Sequence, residues 1–280
     1  MLKYINILLD DASVSFCHFE VKKKAGAIPE DILNQGIRFA MKENLNIQFV
    51  YPAHELPEYV EKSVHQIDHV KIGKEDVIVY DTWPECFESD KICVLRLGKD
   101  ELFSKSLPKA LPRRLNIVIK DIDSFREEDF ARYNVWLEQE AVKLKQDFHH
   151  INILSDRITL NKMNNCNAGW ESITLAPDGK FYICPAFYQD DMQSVGDLQH
   201  GLDIQNAQLY RLDHAPICSH CDAFQCRRCI WLNLKTTLEV NTPSHEQCVI
   251  AHLERNASRI IAPGDIPIVD YLDPFDIIPK

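Results

Sequence analysis

Seven of the chain's ten cysteines fall between Cys166 and Cys248, and no other feature of its 280 residues restricts the fold so tightly. Four of them read Cys218-x2-Cys221-x4-Cys226-x2-Cys229, two close pairs with a short spacer. A CxxC turn lets two thiolates reach one metal, and two such turns supply the four soft ligands of a zinc ion or an iron–sulfur cluster. Cys166 and Cys184 flank a segment in which Pro177-Asp178-Gly179 marks a tight turn. Ile173–Ala176 and Lys180–Cys184 are therefore expected to pair as a β-hairpin. Cys248 lies in HEQCVIAHLERN, a helical pattern that buries Val249, Ile250 and Leu253. Seven thiols are too many for one tetrahedral site and one short of two four-cysteine sites.

Composition bears on what those thiols do. Hydrophobic residues make up 45% and charged residues 26% of the chain, as in soluble globular proteins. No stretch approaches the roughly 18 consecutive apolar residues of a membrane span, and MLKYINILLDDASVSF reads as a first strand rather than a secretory signal. The expected location is the cytoplasm, where thiols stay reduced, so metal ligation is favoured over disulfides. A formal charge of -11, from 31 Lys and Arg against 42 Asp and Glu, repels phosphate backbones and argues against nucleic acid as a partner. The local exception is Arg227-Arg228, and two arginines beside thiolates suit balancing ligand charge and binding a polyanion equally well.

Two textures divide the chain into an expected α/β domain over 1–160 and a cysteine-rich domain over 161–260. Strands are expected at Tyr4–Leu9, Ile47–Tyr51, Val77–Tyr80, Ile92–Leu97, Leu115–Ile119 and Ile151–Leu154. Helices are expected over Pro29–Lys42, Glu58–His65 and about Phe125–Asp147, the last with Ser124 and Glu127 as a capping box. Continuous β-branched runs alternating with helices predict βα units and a largely parallel sheet. Residues 261–280 carry Pro263, Pro267, Pro274 and Pro279 and read as an extended tail that wraps the domain, with docking on a partner as the alternative. His149-His150 reads as the charged end of the long helix.

The order Cys166, Gly179, Cys184, the two CxxC pairs, then Cys248 resembles the SPASM domain of radical SAM enzymes that modify ribosomally made peptides. Val195-Gly196-Asp197-Leu198 and Trp231-Leu232-Asn233 extend the likeness, which covers about 90 residues. The x4 and x2 spacers depart from it by being shorter than usual. The resemblance implies two 4Fe–4S clusters. Cys218, Cys221, Cys226 and Cys248 would hold one; Cys166, Cys184 and Cys229 would hold the other. A further cysteine before Cys166, usual in that family, is absent, and Cys86, Cys93 or a histidine would have to replace it. A zinc site built from the CxxC pairs is the alternative.

The radical SAM cluster motif itself, CxxxCxxC, is missing: DDASVSFCHFEVKKK offers only Cys17. IPEDILNQGIRFAMKENLNIQFVYPAHELP resembles the first helix, second strand and SAM-binding turn of that family. Ala53-His54-Glu55-Leu56-Pro57 keeps a carboxylate but replaces both glycines, so SAM binding is not expected. The expected fold is thus α/β, a partial parallel (βα) barrel resembling radical SAM with a small C-terminal SPASM-type metal domain; an open doubly wound sheet is the alternative. Within the radical SAM group the chain resembles the CXXX-repeat peptide maturase family. The implied function is an iron–sulfur accessory protein in peptide maturation whose partners are a catalytic radical SAM enzyme and a Cys-repeat precursor peptide. The alternative is a zinc-stabilised protein- or peptide-binding module without redox chemistry. No nucleophile–base pair or phosphate loop stands out in the N-terminal half, so independent enzymatic activity ranks last.

Overall fold

A computed structural model describes residues 2–163 and 165–262. Of the tail expected over 261–280, Ile261 instead ends the last helix, and residues 263–280 lie outside the described residues. In chain order the strands and helices are β1 (Tyr4–Leu8), α1 (Glu30–Lys42), β2 (Asn46–Val50), α2 (Glu58–His65), β3 (Val70–Ile72), β4 (Val77–Tyr80), β5 (Ile92–Leu97), α3 (Lys99–Phe103) and β6 (Arg114–Ile119). They continue as α4 (Glu127–Gln146), α5 (Asn152–Thr159), β7 (Ser172–Leu175), β8 (Phe181–Tyr182), α6 (Pro185–Gln189), β9 (Gly196–Asp197), β10 (Gly201–Leu202), α7 (Ile230–Thr237) and α8 (His245–Ile261). The described residues pack as two compact units, one of residues up to 79 with 167–211 and the other of residues between 80 and 166 with those from 212 to 262. Both draw residues from either side of position 160.

The first unit is a mostly parallel sheet in the order β4-β3-β2-β1-β7-β8. β1 lies between β2 and β7, parallel to both, with Ile5 facing Ile47 on one side and Ile173 on the other. That central position explains why Ile5 and Ile7 are fully buried and why the strand reads as an unbroken apolar run. α1 carries Leu33, Ile37 and Ala40 on one stripe, and Gly36 between them allows close approach, since a Cβ there would stand 2.2 Å from Leu175 Cδ2. Glu30 and Asp31 in its first turn and Lys42 in its last complement the helix dipole. Only β7–β8 is antiparallel in this sheet's hairpin, joined through the Pro177-Asp178-Gly179 turn as expected, with Gly179 at φ +79.

The second unit pairs β5 with β6 in parallel over six residues, Ile92 with Arg114 through Leu97 with Ile119. The long helix α4 packs on α8, and Phe103, Phe125, Tyr133 and Trp136 form its aromatic core. Two expectations are corrected here. Helix α4 is capped at Arg126, whose backbone N–H donates to Asp129 at 3.0 Å, whereas Ser124 turns back to the carbonyl of Asp121 at 2.8 Å. The segment Ile151–Leu154 is not a strand. Ile151 makes a single bridge to Leu115, and Asn152 then starts α5. The Asn152 amide accepts from Ile117 N–H at 2.8 Å and donates to Ile117 C=O at 3.0 Å, so one side chain closes the β6 edge that a further strand would otherwise cover. No helix among the described residues is long and apolar enough to cross a membrane.

Candidate metal centre

The first CxxC pair sits on a tight turn of the second unit, and a second turn, Ala223–Cys226, leads into the other pair. Cys221 N–H donates to Cys218 C=O at 3.2 Å, and Cys226 N–H donates to Ala223 C=O at 3.0 Å. The first turn brings the Cys218 and Cys221 side chains to one side. Arg228 takes a left-handed conformation, φ +46, and its backbone N–H reaches Cys226 Sγ at 3.4 Å. Ala223 N–H approaches Cys221 Sγ at the same distance. Cys248 enters from α8, whose first turn Ser244 caps by accepting from Gln247 N–H at 3.3 Å. Met163 and Ala215 pack with Cys218 in a small apolar cluster, against which Leu212, Cys221 and Cys226 lie.

Four thiols share this environment. Burial pushes the Cys226 thiol well above its ordinary range, and the charges of Cys218, Cys221 and Cys248 add to that rise. Burial likewise drives Cys218 up to about 12, opposed by the Arg228 guanidinium and reinforced by Cys221. Cys221 is also raised by burial, with Asp222 adding to it and Arg255 and Arg157 countering. Mutual repulsion at these sulfurs means they lie close enough to feel one another's charge. A metal bound there would offset this burial and repulsion and hold the sulfurs as thiolates. Among the described residues no group of three or more His, Cys, Asp or Glu is disposed to hold a metal ion as it stands. The donor chemistry nevertheless fits: four soft sulfurs, two already accepting N–H bonds, with a buried guanidinium beside them.

The cationic frame is itself fixed. Arg255 Nε donates to both Asp222 oxygens at 3.2 and 3.1 Å, and Arg157 approaches the same carboxylate at 3.5 Å while stacking 4.3 Å from the Phe224 ring. Arg228, only 1% exposed, donates to Asn165 at 3.3 Å, and Arg227 donates to Asn116 at 2.9 Å. His252 is a member of this set that spacing within the cysteine motif does not mark. It lies one helical turn beyond Cys248, with Nε2 3.5 Å from Cys221 Sγ. Burial, then the Arg255 charge, lowers its pKa, so the ring is neutral near pH 7.

The other three candidate ligands fall in different places. Cys229 half-caps α7, its carbonyl accepting from Asn233 N–H at 2.9 Å, and exposed Cys166 donates its N–H to Arg227 C=O at 3.1 Å; both belong to the second unit. Cys184 belongs to the first unit, where it precedes α6 and lies near the Tyr210 phenol, whose pKa is raised by burial and then by the Cys184 charge. Cys93, a suggested substitute ligand, is fully buried in β5 with its pKa lifted to about 11 by burial, whereas Cys86 is exposed.

At the position of the missing cluster motif, the first unit carries a self-bonded loop. Buried Asp10 accepts from Ala12 N–H at 2.7 Å and Gly26 N–H at 3.2 Å, and its other oxygen lies 3.3 Å from His54 Nε2. Gln189, at the end of α6, donates to Asp11 C=O at 2.7 Å and accepts from Lys22 and Lys23 N–H at 2.9 and 3.2 Å. Lys22 pairs with Asp190 at 2.5 Å, Lys23 with Asp191, and Tyr188 donates to Asp11. Glu55 stands exposed in the Ala53–Pro57 turn. The Asp10–His54 pair, 44 residues apart, left no sequence signal.

No family model matches the chain, and no curated protein matches it in sequence. Among solved structures it is similar to Streptococcus suis SuiB, determined bound to the precursor peptide SuiA. That overlay has a TM-score of 0.40 at 8% identity, covering 75% of this chain and 64% of the other. The chain thus spans less than two thirds of that protein's length, and a likeness of that quality carries no argument about family or activity.

Proposed function

We propose that the chain is a metal-binding accessory protein of ribosomal-peptide maturation. It would hold iron–sulfur clusters and work beside a catalytic radical SAM enzyme on a cysteine-repeat precursor peptide. The observation that carries the metal reading is the packing of Cys218, Cys221 and Cys226 in one small apolar cluster, with Cys226 also within reach of the Cys248 charge; the SPASM resemblance assigns these four to a single cluster. Cys166, Cys184 and Cys229 stay as the further ligands that resemblance implies. The maturation role rests on the resemblance alone. The segment after β1 offers only Cys17 where the cluster motif would need three cysteines, which favours a role without radical generation. A bound cluster supplies reversible one-electron chemistry or a site for a substrate thiolate. The buried arginines Arg228 and Arg255 would offset its charge. Zinc is the second reading, since four thiols of this kind suit it equally.

Iron, sulfide and zinc content of protein purified without oxygen tests the metal reading. About eight irons and eight sulfides per chain support two 4Fe–4S clusters. Zinc without sulfide contradicts electron transfer and leaves a binding scaffold. Fluorescence anisotropy with a synthetic peptide of repeated Cys-x-x-x units tests the partner. Saturable binding to the loaded protein is expected, and a loaded protein that ignores the peptide contradicts the maturation role.

A further inference from the structure

We infer that His252 is a hydrogen-bond donor to the Cys221 ligand, holding that sulfur in place and setting how tightly the site keeps its metal. The inference rests on the metal reading above. Cys248 and His252 are four residues apart on α8, so they stand on one face, one above the other. Their shared face meets the loop carrying Cys218, Cys221 and Cys226. His252 is 5% exposed, and its Nε2 lies 3.5 Å from Cys221 Sγ, within reach of an N–H···S bond. The same sulfur also accepts from Ala223 N–H at 3.4 Å. Four thiols already complete a tetrahedral or cubane ligand set, which leaves the imidazole the role of partner to a ligand rather than a fifth ligand. A donor on a ligating sulfur spreads the thiolate's charge. It thereby stabilises the more negative state of the site, retains the metal and raises a cluster's reduction potential.

The test uses the full-length protein, loaded in parallel with Co(II) and with ferrous iron plus sulfide. It compares wild type with His252→Gln, which keeps an N–H, and His252→Leu, which does not. The absorption of the cobalt form reports how many thiolates bind, independently of any activity. His252→Leu is expected to keep the four-thiolate spectrum while losing metal affinity by about tenfold or more. Its iron–sulfur form should show a lower reduction potential, and His252→Gln should recover most of both. A three-thiolate spectrum in wild type that changes on His252→Leu would make His252 a ligand and overturn the inference. Equal affinity and potential in all three proteins would overturn it as well. Wild-type protein that takes up neither metal would defeat the metal reading itself, a result distinct from either.

Discussion

Single residues decide more here through burial than through surface charge. Glu254 on α8 accepts from the Tyr133 hydroxyl at 2.8 Å, and burial lifts its pKa from 4.5 to about 8. Below pH 4.5 the carboxyl is protonated in folded and unfolded chains alike, and it costs nothing. As pH rises, the unfolded chain ionises first while the folded one holds its proton, so stability falls until the folded group titrates near pH 8. Glu254→Gln should therefore match wild type near pH 5 and melt higher by more than about 2 °C at pH 9. A difference that is the same at both values contradicts the burial argument. Gly196, at φ +122, offers a second check. A Cβ there would fall 2.0 Å from the Gly201 carbonyl oxygen, so Gly196→Ala should cost about 2 kcal/mol or more in urea unfolding. Gly196 was visible in sequence through Val195-Gly196-Asp197-Leu198, but its reason, the close β9–β10 hairpin, was not. His252 and the Asp10–His54 pair were invisible because nothing in their local spacing distinguishes them from ordinary surface or core histidines.

Elements were more legible than residues. Apolar runs located β1, β2, β4, β5 and β6, and the 3.6-residue period located α1, α2 and α4, because each buries a continuous stripe. The short pieces β3, α3 and α6 carry too few residues to show any period. Ile151–Leu154 misled because its apolar run serves a helix that begins one residue after a bridge. The Asn152 amide makes that arrangement possible, and Asn152→Ala would leave the Ile117 N–H and C=O unsatisfied at the β6 edge. Chemical denaturation should show a loss of about 2 to 4 kcal/mol; a loss under about 0.5 kcal/mol would mean the edge is closed by other contacts. The loop after β1 depends on α6 in the same way. Gln189→Leu removes three backbone bonds at once, and amide exchange over residues 11–23 should quicken while α1 stays protected. Unchanged exchange there would show that Asp10 alone fixes the loop.

At the scale of the molecule, alternating strands and helices predicted a mostly parallel α/β architecture, and the first unit has one. What the sequence could not convey is that each compact unit is discontinuous, since contact between distant segments leaves no mark on local composition. The cysteine module was legible as a motif because its close CxxC pairs stand out in the sequence. The grouping of Cys248 with Cys218, Cys221 and Cys226 came only from a family resemblance; α8 carries Cys248, whose charge acts on Cys226. The most direct measurement is therefore metal bound per chain after anaerobic loading, for wild type, a Cys218/Cys221/Cys226/Cys248→Ser variant and a Cys17/Cys86→Ser control. Loss of about four irons in the first variant, or of one zinc, with none lost in the control, is the predicted result. Full metal content in the four-serine variant would contradict a metal site at these cysteines.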